Sequence, residues 1–151
     1  MSHVREQIRD AVVNAVTYLD LTARRVFRTR VYPMDSESLP GICVYTQSET
    51  SSPATIGGLT SVSTYLRVML VNIEVYAKAS VDLDNTLDDI AVEIETAMAT
   101  DATLDGLVED TVLSGTEIDI MGGDSEQPVG VMRLTYNVTY RTTLADPSAA
   151  L

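Results

Sequence analysis

The chain has 151 residues, 45% of them hydrophobic, and a formal net charge of −12. That length fits one domain with a real core, and the composition is that of a folded protein rather than a disordered one. The charge argues against stable binding to a nucleic-acid backbone, which needs clustered Lys and Arg. With Cys43 the only cysteine, an intrachain disulfide is excluded.

Residues 3 to 19 read as a helix, because Val4, Ile8, Ala11, Val12, Ala15, Val16 and Leu19 recur at three- and four-residue spacing, with Ser2 as its N-cap. Arg25 to Val31 reads as a first strand, ended by Pro33, which cannot donate to a ladder. Gly41 to Gln47 is a short apolar, β-branched second strand. The polar stretch 48–63, with Pro53 and the pair Gly57-Gly58, reads as a long hairpin arm projecting from the body. Tyr65 to Ala79 is a long strand. Its apolar phase slips between Leu70 and Val71, which fits either a bulge there or a central strand buried on both faces.

Leu83 to Met98 reads as an amphipathic helix whose stripe is Leu83, Leu87, Ile90, Ala91, Ile94, Ala97 and Met98. Its first aspartates sit where the helix dipole favours negative charge by about 0.3–1 kcal/mol each. After a connection around Gly106, residues 109–121 form a strand with a bulge at Ser114-Gly115. Val131 to Thr143 alternates cleanly, with Met132, Leu134, Tyr136, Val138 and Tyr140 on one face. Residues 144–151 read as a mobile tail. The expectation is an α+β domain over 1–143, in the order α-β-β-β-α-β-β. It has a mostly antiparallel (mixed) sheet of about five strands and two helices packed on one face.

Charge is segregated along the chain. Residues 1–31 hold six of the ten basic residues and net +3, whereas residues 79–132 hold fourteen of the 22 acidic residues and no basic one. The cluster Arg24, Arg25, Arg28 and Arg30 and the acids Asp82, Asp84, Asp88 and Asp89 are therefore candidates for subunit interfaces.

Signals for chemistry are weak. His3 is the only histidine and lies near a terminus, without a partner for nucleophilic catalysis. Cys43, between Ile42 and Val44, reads as a small buried hydrophobe. Nucleophile-elbow, Walker A and dinucleotide-binding motifs are absent from the sequence. Counted from Asp82, a calcium loop would need glycine sixth but has Leu87, so no metal or cofactor is assigned. Asn137-Val138-Thr139 is a sequon placed mid-strand and is discounted. No apolar run reaches the roughly 18 residues of a membrane span, and MSHVREQIRD is unlike a signal peptide, so assembly in a cytoplasm is expected.

Three segments, RVYPMDSESLPGICVYTQSE, RVMLVNIEVYAKA and PVGVMRLTYNVTYRTT, stand in order behind the first helix. Together, over residues 3 to 143, they resemble the tail terminator family of long-tailed phages, the lambda U-protein type. Tail-completion and head–tail adaptor proteins share the R-x-Y-P and LP-x-x-x-Y pieces and stay as an alternative.

The resemblance implies a non-catalytic ring, a hexamer, at the head-proximal end of the virion tail. The ring caps the tail tube, stops its polymerisation, meets a head-completion or connector protein and lets DNA pass without specific binding. Glu49, Thr50, Ile56, Gly57, Gly58 and Leu59 in the arm are the candidates for tube or lumen contact. A small metal-dependent hydrolase using the aspartates at 82 to 89 is the distant alternative.

Overall fold

A computed structural model describes residues 1–28, 30, 39–54, 63–78, 81–121 and 128–151, with Met121 described by its backbone alone. The elements run α1 (Val4–Val16), β1 (Val26–Phe27), β2 (Gly41–Pro53), β3 (Thr64–Lys78), α2 (Leu83–Thr100), β4 (Asp110–Met121) and β5 (Val129–Thr143). The order is the expected α-β-β-β-α-β-β. The sheet order is β1-β2-β3-β5-β4, antiparallel throughout except for the parallel pair β1–β2. Both helices lie on one face of the sheet, α1 over β2 and α2 over β3 and β5.

The core forms between that face and the helices. α1 buries Val4, Ile8, Val12, Val13 and Val16, and α2 buries Leu83, Leu87, Ile90, Ala91, Ile94 and Met98. Each fully buried Val, Leu or Ile contributes about 1.5–3 kcal/mol relative to exposure. β5 alternates without interruption, its residues Met132, Leu134, Tyr136, Val138 and Tyr140 all buried. Gly130 lies under α2, where an added Cβ would come within 2.9 Å of Leu87 Cδ1 and 3.0 Å of Leu83 Cδ2.

β3 is the central strand and fills both faces. Met69, Val71, Ile73, Val75 and Ala77 point to the helices, while Asn72, Glu74 and Tyr76 are buried on the opposite face. The register irregularity beside Leu70 and Val71 belongs to the partner strand: β2 shifts between Thr46 and Ser48. The apparent slip of phase in β3 is thus two-faced burial. The extra residue in β2 changes which way its second half faces, so that Glu49 turns to the helix side opposite Met69. β4 carries its own register shift between Leu113 and Gly115, at the expected position.

Several boundaries differ from the sequence reading. The N-cap of α1 is His3, not Ser2: His3 Nδ1 accepts from Arg5 N at 3.1 Å. The helix stops at Val16, and Tyr18 follows with φ 64°. β1 is Val26–Phe27, and the expected end of that strand at Val31 and Pro33 lies outside the described residues. β2 extends through Ser48–Pro53, pairing with β3 as far as Tyr65, so the first part of the expected arm is strand. Residues 55–62 lie outside the described residues.

The segment 144–151, expected to be mobile, is hydrogen-bonded to the body of the domain. Val4 N donates to Pro147 O at 3.0 Å, Gln7 Nε2 to Ser148 O at 2.8 Å, and Leu151 N to Arg141 O at 3.0 Å. These bonds tie the chain end across the start of α1, where a helix has unpaired N–H groups.

Candidate assembly surfaces

The strand order puts the arginine-bearing β1 region and the acidic strand β4 at opposite edges of one sheet, with the acids of α2 over β3 and β5 between them. β1 and β2 lie at one edge with the arginines. β4 lies at the other, three strands away from β2 at about 4.8 Å per step.

The four arginines are not equivalent. Arg25 is spoken for within the chain, its Nε donating to Pro40 O at 2.7 Å and its NH2 to Leu21 O at 2.9 Å. Arg30 donates to Thr46 O at 2.7 Å and stacks 5.3 Å from the centre of the Tyr45 ring. Arg28 pairs with Asp10 at 3.0 Å while half exposed. Arg24 lies 5.7 Å from the Tyr18 ring and is exposed.

Asp82, Asp84, Asp88 and Asp89 are all exposed at the start and along the outer side of α2. Asp82 is the N-cap, with φ 56° and without a side-chain capping bond. These acids therefore lie along a helix flank, not in a chelating loop. Among the described residues, none of the His, Cys, Asp and Glu side chains group in threes as a metal site would require. Also among the described residues, no helix is long and apolar enough to cross a membrane.

Of the arm candidates, Thr50 is exposed on β2, its hydroxyl 3.5 Å from Val68 O. Ile56, Gly57, Gly58 and Leu59 lie outside the described residues. Glu49 is largely buried. It receives Arg67 NH1 at 3.0 Å, Arg5 NH1 at 3.1 Å and a short hydrogen bond from the Tyr140 hydroxyl. It therefore pins β2, β3, β5 and the start of α1 together. Burial, followed by the bond to Glu49, pushes the Tyr140 hydroxyl well above the usual tyrosine range, so it remains a neutral donor.

A second buried carboxylate went unnoticed in the sequence. Glu74, 4% exposed, sits on the sheet face away from the helices. It accepts from the Tyr45 hydroxyl, from the Tyr76 hydroxyl at 2.6 Å and from Arg133 Nε at 3.0 Å, and Arg133 also reaches Glu117 at 3.3 Å. Burial alone would raise the Glu74 pKa. The bonds from Tyr45, Tyr76 and Arg133 outweigh it and hold the carboxyl below its ordinary range. Cys43 lies beside this group, fully buried, its thiol pushed up to about 12 by burial and then by Glu74. It is a packed side chain and not an activated thiolate. The signal for Glu74 was a lone acid at an alternating position of an apolar strand, with Tyr76 two residues on.

The other overlooked feature is β4 itself. Val112, Ile118 and Ile120 are about half exposed, and residues 114–120 are exposed on both faces.

The family model for phage minor tail protein U matches residues 3–140. No curated protein is a significant match to the chain. Among solved structures, a chain from the "Virion of native gene transfer agent (GTA) particle" is similar at 14% identity and a TM-score of 0.38, with 91% of this chain and 90% of that chain covered. The hydrolase alternative falls with the family match, because the family is a structural one. The chain belongs to the phage minor tail protein U family and is a structural component of a virion tail, not an enzyme.

Proposed function

We propose that this chain is the tail terminator: a homo-oligomeric ring, a hexamer, at the head-proximal end of the tail tube. The ring ends polymerisation of the tube protein and offers its far side to the head-completion or connector protein. The observation that supports this reading is that the arginine-bearing β1 region and the acidic strand β4 lie at opposite edges of one sheet, with the acids of α2 exposed above β3 and β5. A subunit with complementary edges makes heterologous, head-to-tail contacts, and such contacts form a ring when the rotation between copies closes. The surplus of exposed carboxylates suits a pore that DNA slides through, since negative walls repel phosphate. Arg24, Arg28 and Arg30 on one side and Asp82, Asp84, Asp88 and Asp89 on the other are the charges assigned to subunit contact. Glu49 is assigned to internal bracing, and the arm beyond it to the tube.

Two measurements test this. Native mass spectrometry across a concentration series is expected to give one closed oligomer, which Arg24→Glu weakens. Virions assembled without the protein are expected to carry overlong tubes. Tubes of normal length that fail to join heads would instead assign the chain to the neck as an adaptor.

A further inference from the structure

β4 leaves an apolar shelf on the helix side of the sheet. Ile118 and Ile120 lie opposite Met132 and Gly130 of β5, which face the helices, so they share that face. α2 lies over β3 and β5, and past it the two isoleucines are 50% exposed each. The flank of α2 above the shelf is acidic. Asp84 lines a hollow together with Ile120. Asp88 and Glu95, both exposed, follow on the same side of the helix about one turn and three turns on. Glu95 is close enough to Tyr136 on β5 for its charge, after burial, to push that hydroxyl up to about 12. The other flank of α2 faces α1, where Glu93 accepts from Leu21 N at 3.3 Å.

At the opposite edge of the sheet is a knob of matching character. The turn from Thr17 to Arg25 joins α1, over β2, to β1, the outermost strand. Tyr18 N bonds to Ala23 O and Ala23 N to Leu19 O, each at 2.8 Å, and Thr22 is fully buried beneath. This rigid turn holds Tyr18, 70% exposed, and Leu21 out into water. Tyr18 has φ 64°, a conformation a bulky residue adopts only at a cost. A strained residue that presents an aromatic ring to solvent points to a contact. Arg24, exposed, lies 5.7 Å from that ring. It has no carboxylate partner among the described residues.

Knob and shelf also agree in height. Arg25 donates to Leu21 O and Pro40 O, and its own carbonyl accepts from Ile42 N. The row of residues across the sheet from Ile42 is Val75, Met132 and Ile118. The two features therefore lie on the same side of the sheet, at one level and at opposite edges. A rotation between copies about an axis roughly along the strands keeps that level and brings them together.

We propose that the Tyr18–Arg24 knob of one copy docks on the Ile118–Ile120 shelf of a second copy of this chain. Tyr18 and Leu21 cover the isoleucines, and Arg24 meets Asp84 and Asp88. The docking rests on the ring reading above and requires no strand pairing between copies.

Two experiments on the full chain test it. Asparagine tolerates positive φ, so Tyr18→Asn removes the ring without straining the turn. Its monomer is expected to melt at the wild-type Tm or above, while the concentration for half-assembly rises on the order of 10-fold or more. Disulfide trapping then reads the contact. A Tyr18→Cys chain mixed with an Ile118→Cys chain is expected to cross-link under mild oxidation. Tyr18→Cys mixed with Val112→Cys, equally exposed but on the other sheet face, is not. The native Cys43 is buried and does not compete. An oligomer unaffected by Tyr18→Asn, or one that gives no cross-link between positions 18 and 118, overturns the docking and leaves the ring standing. A wild-type chain that forms no oligomer, alone or on tail tubes, overturns the ring reading and the docking with it.

Discussion

Replacing Glu74 with glutamine tests whether the buried carboxylate holds the open face of the sheet together. The side chain is 4% exposed and accepts three hydrogen bonds, from Tyr45, Tyr76 and Arg133. A hydrogen bond to a charged group contributes about 1.5–3 kcal/mol, and glutamine keeps one acceptor oxygen while presenting an NH2 to donors. Arg133 keeps Glu117, so part of its pairing survives. The expected loss is about 2–4 kcal/mol at neutral pH, or roughly 5–15 °C in Tm for a domain of this size. The sign with pH follows from the direction of the shift. The folded carboxyl titrates below its ordinary value of 4.5, so its contribution is complete above that pH and disappears as pH falls through the folded value. Thermal unfolding of both proteins at equal concentration, at pH 7 and in steps below pH 4.5, reads the difference. The gap in Tm is expected to narrow steadily on acidification. A variant as stable as the wild type at pH 7, or a gap that stays constant into acid, would refute the reasoning.

Two other changes probe the packing. Gly130→Val forces a branched side chain against Leu83 and Leu87, whose methyl groups already approach the missing Cβ at 2.9–3.0 Å. It is expected to cost about 1–3 kcal/mol in denaturant unfolding, and an unchanged midpoint would mean α2 moves away freely. Truncation after Ala145 removes the bonds from Val4 N and Gln7 to Pro147 and Ser148. It should cost about 1–3 kcal/mol, with loss of helical circular dichroism from the first turn of α1; an unchanged spectrum and Tm would show that the docked end carries no load.

What the residues revealed in advance depended on how one-sided each element is. β5 was legible because one face is core and the other is polar, so a period of two stands out from Val131 to Thr143. The stripes of α1 and α2 were legible for the same reason. β3 was ambiguous because a central strand buries both faces, and Asn72 and Glu74 look misplaced until Gln47, Thr135, Tyr45 and Arg133 are seen to satisfy them. Ser48–Pro53 read as loop because its serines and threonines carry no apolar signal; it is strand because β3 extends beside it and its own outer edge faces solvent. The docking of 144–151 rests largely on main-chain bonds, which leave little trace in side-chain pattern. The candidate contact residues were found by charge alone. Which of them are free depends on carbonyl partners such as Pro40 O and Leu21 O that only the fold brings near.

The pairing of charges inside the subunit explains why the acidic excess stays on the outside. The arginines of the central strands are used within the sheet: Arg67 for Glu49, Arg133 for Glu74 and Glu117, Arg141 for Glu109 at 2.6 Å. Two of those carboxylates are buried, where an unpaired charge would cost several kcal/mol, so these arginines are not free to neutralise anything else. Asp119 on β4 is left facing water at one edge, and the outer acids of α2 face water above the sheet. Arg24, and in part Arg28 and Arg30, remain near the other edge. Within one monomer Asp119 on β4 stands about a sheet's width from those arginines, well beyond the roughly 8 Å over which exposed charges interact at physiological salt. A neighbouring copy placed edge to edge would bring them within that range, which is why the fold, and not the composition, supports the proposed assembly.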